Sequence, residues 1–299
     1  MNRRACLHSL SALGLLPFTS TKLMGTEAIR KRAIPSSNEK IAVVGLGTWQ
    51  TFDVGQSEDE REPLKAVLKT LIEKGGTVID SSPMYGSSEK VVGDLSAMLN
   101  LNEKLFIATK VWTNGEAAGI QQMNNSMTLL RRTKIDLMQI HNLMDWQTHI
   151  KTLRGWKEQG KIRYIGITHY TESAFSSIEQ ILKSTAVDFI QINYSLMSRK
   201  AEERIFPLAL EKNVAVIINQ PFESGQLFSR VKGKALPVWA REFDCESWGQ
   251  FFLKFILAQE AVTCVIPGTS KPKHMLDNIG AAFGKLPSAA HLKQMIGHI

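Results

Sequence analysis

The stretch Val78-Ile79-Asp80-Ser81-Ser82-Pro83-Met84-Tyr85-Gly86-Ser87-Ser88-Glu89-Lys90-Val91-Val92-Gly93-Asp94-Leu95 begins as a short apolar run and ends as an amphipathic one. The first part reads as a buried strand, the last as a helix with one apolar face, and the Pro/Gly-containing middle as the turn between them. Asp80 and Tyr85 stand at this junction, where a strand hands the chain over to a helix.

The same handover recurs along the chain. Apolar, β-branched-rich runs occur at Ile41–Leu46, Thr77–Asp80, Leu105–Lys110, Ile135–His141, Arg163–Thr168, Val187–Asn193, Val214–Asn219 and Val262–Gly268. Helical patterns follow them at Glu60–Lys74, Ser87–Leu99, Gly115–Arg132, Thr148–Gln159, Thr171–Lys183, Glu202–Lys212, Ser247–Gln259 and Lys271–Ala282. Eight strand-helix units in this length predict an α/β protein with a single (β/α)8 TIM barrel. A doubly wound open sheet would want Gly-x-Gly-x-x-Gly after its first strand, and Gly45-Leu46-Gly47-Thr48-Trp49 lacks the third glycine. The chain stops soon after the eighth helical pattern, which leaves little room for a long C-terminal loop and predicts an open, tolerant pocket.

The 299 residues carry a formal charge of +8, but seven Lys/Arg against Glu27 and Glu39 place +5 of it within the first 40 residues. The remaining body is close to balanced, which argues against a nucleic-acid partner. The N-terminus itself, Asn2-Arg3-Arg4-Ala5-Cys6-Leu7 followed by the apolar run Ser9–Phe18, has the layout of an export signal, and its paired arginines resemble a twin-arginine signal. Its apolar run is too short to span a bilayer. Residues 1–31 therefore read as an export leader and linker and residues 32–299 as the barrel, with a periplasmic or exported location, or a cytoplasmic one if the leader does not function. Cys6 would leave with the leader, and Cys245 and Cys264 are too few for a disulfide framework and wrongly spaced for a metal site.

In a barrel of this kind, the loops after the strands carry the chemistry. Asp80 closes the second predicted strand, Lys110 the third and His141 the fourth, and Tyr85 lies in the loop after the second. These residue types suit proton delivery to a carbonyl oxygen. A tyrosine titrates near pH ~10 in water and a nearby ammonium favours its ionised form. Lys110 supplies that charge, Asp80 keeps the lysine charged and oriented, and His141 positions the carbonyl oxygen against Tyr85.

Val43–Trp49, Val78–Gly86, Ala108-Thr109-Lys110-Val111 and Gln139-Ile140-His141-Asn142, in this order and spacing, resemble the aldo-keto reductase family. The resemblance runs from about Arg32 to Ala282. It implies reduction of a small aldehyde or ketone by hydride transfer from a nicotinamide cofactor, with Tyr85 as general acid and Asp80, Lys110 and His141 as its supports. It further implies cofactor contacts at Thr48, Trp49, Thr168, His169, Gln191 and Phe222. Gln191 matches the family's carboxamide-binding glutamine. His169 replaces an amide usual in relatives, and Asn219 stands where many relatives place a tyrosine that stacks on the nicotinamide ring. Thr269, Ser270, Lys271, Lys273, His274 and Asn278 match the adenosine-phosphate region, where a strand end and a helix N-terminus suit an anion, and they favour NADPH over NADH. Phe52, Trp112 and Met144 are expected to line the substrate pocket. Two other readings stay open: a Schiff-base lyase using Lys110 as nucleophile, and an NADPH-binding redox-sensing subunit with negligible turnover.

Overall fold

The computed structural model describes residues 28–299. The leader with its arginine pair falls on residues 1–27 and lies outside the described residues. Two short strands, β1 (Lys31–Ala33) and β2 (Lys40–Ala42), pair antiparallel as a hairpin, with Arg32 opposite Ile41. The barrel strands follow as β3 (Leu46–Gly47), β4 (Val78–Asp80), β5 (Phe106–Val111), β6 (Ile135–His141), β7 (Ile162–Thr168), β8 (Phe189–Asn193), β9 (Ala215–Asn219) and β10 (Val262–Val265). Each pairs in parallel with the next. The ring closes where Val44 pairs with Val265 and Gly47 with Gly268, the Gly45 N–H donating to the Val265 carbonyl at 2.9 Å.

The two glycines that could have signalled a nucleotide-binding turn serve this closure instead. A Cβ on Gly45 would come 2.8 Å from the Val78 carbonyl oxygen, and one on Gly47 would come 2.8 Å from that of Ile266. The backbones on either side approach too closely for a side chain.

Helices α1 (Glu58–Glu73), α2 (Ser88–Met98), α3 (Glu116–Leu129), α4 (Trp146–Glu158), α5 (Phe175–Ser184), α6 (Ile205–Glu211), the short α7 (Gln226–Arg230), α8 (Trp248–Leu257), α9 (Pro272–Gly280) and α10 (Ala289–His298) surround the strands. Their apolar faces pack on the outward residues of the barrel, such as Ile79, Ile107, Met138, Ile190 and Val216. A smaller inner cluster, with Phe106, Tyr164, Phe189 and Ile217 among its members, plugs the barrel, and Ile34 and Ile41 of the hairpin join it from below.

Three features depart from the sequence expectation. The run Ile41–Leu46 serves two partners: Ile41 and Ala42 complete the hairpin, and barrel pairing begins at Val44. The folded body starts before residue 32, because the Arg30 N–H donates to the Ala282 carbonyl at 3.0 Å and its guanidinium to that of Gly284 at 2.6 Å. The chain also continues past α9 into α10, which carries a Ser288–His291 capping box and sets His291 against Trp239. Among the described residues, no helix is long and apolar enough to cross a membrane.

Candidate active site

Strand alternation turns Asp80, Lys110, Gln139, His141, Thr168 and Gln191 into the barrel, at or just below the ends of their strands. Lys110 is completely buried. Its Nζ donates to Asp80 Oδ2 at 2.6 Å and to the Ser81 carbonyl at 2.7 Å. The same ammonium lies 4.8 Å from the centre of the Tyr85 ring. The Tyr85 ring meets the His141 ring edge-on at 5.8 Å. The four residues expected to act together thus form one contiguous group.

The loop that carries Tyr85 is pinned from both ends. The Tyr85 N–H donates to the Ser82 carbonyl at 3.0 Å, and Asp53 Oδ1 accepts the Ser87 N–H at 2.8 Å. Gly86 takes a positive φ of 58°, and a Cβ there would fall 2.2 Å from Asp53 Oδ1. Only glycine lets the turn bring Tyr85 over the barrel while Asp53 holds the start of the helix behind it.

Several contributing residues had not been singled out from the sequence. Ser82 Oγ lies 2.9 Å from His141 Nδ1. Gln139 donates to Asp80 Oδ1 at 3.0 Å, and Gln191, expected as a cofactor contact, donates to the same oxygen at 2.7 Å. Behind β5, the buried Glu89 accepts from Thr109 at 2.5 Å and from Ser126 at 3.0 Å. Gln139 shares the His141 face of β6, two residues away, which is the pattern that could have revealed it.

Electrostatics decide the protonation states. Burial pulls Lys110 down, but the Asp80 carboxylate and the Tyr85 phenol outweigh it and leave Lys110 above its ordinary value, firmly an ammonium. For Tyr85 the expectation needs correction. Burial raises the phenol, the Lys110 charge lowers it, and burial wins, so Tyr85 lies above its ordinary value. The ammonium limits the cost of ionising the phenol without reversing it, and the resting tyrosine is a protonated acid. His141 is pushed down to about 2 by burial and then by the Lys110 and His169 charges, and is a neutral imidazole. Burial also raises Glu89 above the usual carboxylate range.

The expected cofactor residues divide into two groups. Thr48 is fully buried, and its hydroxyl donates to the Asp80 carbonyl at 3.0 Å. Trp49 is exposed on the rim. Thr168 donates to Gln191 Oε1 at 3.3 Å, and His169 Nδ1 accepts from Thr171 while its ring stacks on Tyr170. Phe222 packs against Phe228, ring centres 4.9 Å apart. At the other end of the site, Lys271 caps α9 and its N–H donates to Thr269 Oγ1 at 3.0 Å. Ser270, Lys271, Lys273 and His274 are exposed around this helix start, whereas Asn278 is buried one turn further on.

Of the expected pocket residues, Trp112 is partly exposed, its ring centre 6.5 Å from that of His141, and Met144 is half-buried. Phe52 does not join them: its side chain is fully buried in the core outside the barrel, drawn there by the apolar contacts it gains.

A model of the aldo/keto reductase family matches residues 43–293. The chain belongs to the aldo/keto reductase family. Among its relatives in this oxidoreductase family, the uncharacterized oxidoreductase YqkF of Bacillus subtilis (strain 168) is 27% identical over 307 aligned residues, covering 90% of this chain and 96% of that protein. Methylglyoxal reductase YeaE of Escherichia coli (strain K12) is 27% identical over 263 aligned residues, covering 85% and 90%. The same fold occurs in an aldo-keto reductase from Klebsiella pneumoniae solved in complex with NADPH, with a TM-score of 0.73, 23% identity and coverage of 89% of this chain and 94% of that one. The holo form of an aldo-keto reductase from Bacillus halodurans superposes equally well, with a TM-score of 0.73, 23% identity and coverage of 90% and 96%.

Proposed function

We propose that this protein reduces a small aldehyde or ketone with NADPH, and that Tyr85 is its general acid. The observation that carries the reading is the buried Asp80–Lys110–Tyr85 chain meeting a neutral His141 at the open end of the barrel.

The residues present fit a nicotinamide dinucleotide. The exposed start of α9 offers the Ser270 hydroxyl and the Lys271 and Lys273 ammonium groups to a 2′-phosphate. Buried carboxamide oxygens at Asn193 and Asn219, on neighbouring strand ends, lack a partner among the described residues. The NADPH in the Klebsiella pneumoniae complex supports the same choice. When bound, the dinucleotide supplies a hydride for the carbonyl carbon.

The chain's own residues handle the proton. Neutral His141, with Nδ1 held by Ser82, turns its other nitrogen to the carbonyl oxygen and orients it. Tyr85 then transfers its phenolic proton to that oxygen, and Lys110 steadies the phenolate that results. Asp80, held in turn by Gln139 and Gln191, keeps Lys110 charged throughout. This arrangement disfavours the Schiff-base reading, because an ammonium locked to a carboxylate and a carbonyl is no nucleophile.

The test is Tyr85→Phe measured against a carbonyl panel that begins with methylglyoxal, the compound in the YeaE name. Turnover should vanish while NADPH affinity holds. Loss of both, or of neither, would overturn the assigned role. Tight NADPH binding without turnover across the panel by the unmodified protein would instead favour the redox-sensing reading. For the residues ahead of the folded body the proposal remains an export leader, which an Arg3→Lys/Arg4→Lys double variant tests: it should hold the protein in the cytoplasm.

A further inference from the structure

Asn193 ends β8 and Asn219 ends β9, and the two are paired in register. Gln191, two residues before Asn193, reaches into the barrel as far as Asp80, so the pleat turns Asn193 to the same interior and the pairing sets Asn219 beside it. The Oδ1 atom of each is buried with no partner among the described residues, and Asn193 is only 6% exposed. Buried acceptors are normally satisfied, because an unpaired one costs stability. Two such acceptors side by side, at the mouth where the reaction takes place, call for a ligand with two donors.

The residues matched to the nicotinamide amide by family resemblance are committed elsewhere. Both Gln191 N–H groups are used, by Asp80 at 2.7 Å and by Gln139 at 3.3 Å. Its Oε1 accepts from Thr168, and His169 Nδ1 accepts from Thr171. A primary carboxamide carries two N–H donors on one nitrogen, matching the two orphan oxygens.

We propose that Asn193 and Asn219 form a subsite for the carboxamide NH2 of the nicotinamide ring, so that this end of the cofactor is held by hydrogen bonds where many relatives use a stacked tyrosine. The inference rests on the nicotinamide reading above.

Three probes separate the possibilities by calorimetry on the full chain: NADP+, its 3-acetylpyridine analogue, in which a methyl ketone replaces the amide, and 2′-phospho-ADP-ribose, which lacks the ring. The unmodified protein should bind NADP+ roughly tenfold more tightly than the analogue, the scale of one or two neutral hydrogen bonds. Asn193→Leu and Asn219→Leu should each erase most of that preference and leave the affinity for 2′-phospho-ADP-ribose unchanged. Because each removes an unpaired buried acceptor, each should also raise the melting temperature of the cofactor-free protein while shrinking the rise that NADP+ produces. Equal binding of NADP+ and the analogue by the unmodified protein, a result that needs no variant, overturns the proposal. So do variants that keep the preference or melt lower, since the amides would then serve the fold. Failure of all three probes to bind would instead sink the nicotinamide reading itself.

Discussion

The Lys110 ammonium lies 4.8 Å from the centre of the Tyr85 ring and 2.6 Å from the Asp80 carboxylate, with no exposure to solvent. A charge so placed is held by the fold at a cost, since both partners are stripped of water. Under the proposed mechanism the return is chemical: the phenol is protonated at rest, and the phenolate left after proton transfer would have a cation in contact. Lys110 and Tyr85 arrive from different elements, and the Asp53–Ser87 bond and the Gly86 turn fix how they meet.

Replacing that cation with an apolar group of similar length separates its catalytic from its structural part. Lys110→Met should lower kcat/KM by about 10²–10⁴, the range expected when a positioned proton donor loses its support. It should also cost about 3–5 kcal/mol of stability, because Asp80 is left buried without its cation. The double variant Lys110→Met/Asp80→Leu should recover much of the stability and none of the activity, read by thermal melts and steady-state kinetics on the same preparations.

Two of the groups behind acid sensitivity should act in separable windows. His141 is depressed to about 2 in the folded protein, so the unfolded chain binds the extra proton first. Its contribution is fully present above about pH 6.5 and is lost as pH falls toward 2. Asp94 is also depressed to about 2: burial raises it, but hydrogen bonds from Lys90, Arg131 and Arg61 prevail. Its contribution is lost only below about pH 4. His141→Gln should therefore flatten the stability profile between about pH 6.5 and 4 and leave the steeper loss below it. An unchanged slope in the upper window, from urea melts at each pH, would show that His141 titrates normally.

Coenzyme choice should depend on pH in a direction the α9 start dictates. His274 is lowered by burial and then by the Lys271 and Lys273 charges, so at neutral pH the proposed 2′-phosphate site would rely on the two lysines. Lys273→Ala should weaken NADPH roughly fivefold to tenfold and spare NADH, with an effect that shrinks at high salt. Once pH falls well below the ordinary histidine range, protonation of His274 should add a third charge and widen the NADPH over NADH ratio. Fluorescence titrations with both coenzymes at two pH values check both claims.

How much of this was legible beforehand varies with the kind of information. The strand rhythm carried the barrel because parallel strands buried on both faces read as nearly unbroken apolar runs, as in Val214–Ile218. That same property concealed the hairpin, since Ile41 and Ala42 look no different from Val43 and Val44 although they pair elsewhere. Asp80, Lys110 and His141 stood out as polar residues closing apolar runs. Ser82 and Asp53 did not, because polar residues in loops are ordinary, and their roles come from which loops meet. Phe52 and Trp112 both follow strands as aromatics, yet only packing decides that one enters the core and the other the rim. The net direction for Tyr85 was also out of reach, because it depends on burial competing with a charge, and a sequence states neither depth nor distance.

Glu89 allows a last prediction, about what keeps the two halves of the acid together. It lies in the first turn of α2, four residues after Tyr85, and grips Thr109, the neighbour of Lys110 on β5, together with Ser126 of α3. Glu89→Ala would leave two hydroxyls buried without their acceptor, at about 1–3 kcal/mol each, and should lower the melting temperature by several degrees. Glu89→Gln keeps one acceptor oxygen and the side-chain volume, and should cost less than half as much. If packing alone mattered, Glu89→Leu would match Glu89→Gln. If the hydrogen bonds matter, Glu89→Leu should resemble Glu89→Ala, and Glu89→Leu/Thr109→Val/Ser126→Ala, which removes acceptor and donors together, should regain most of the loss.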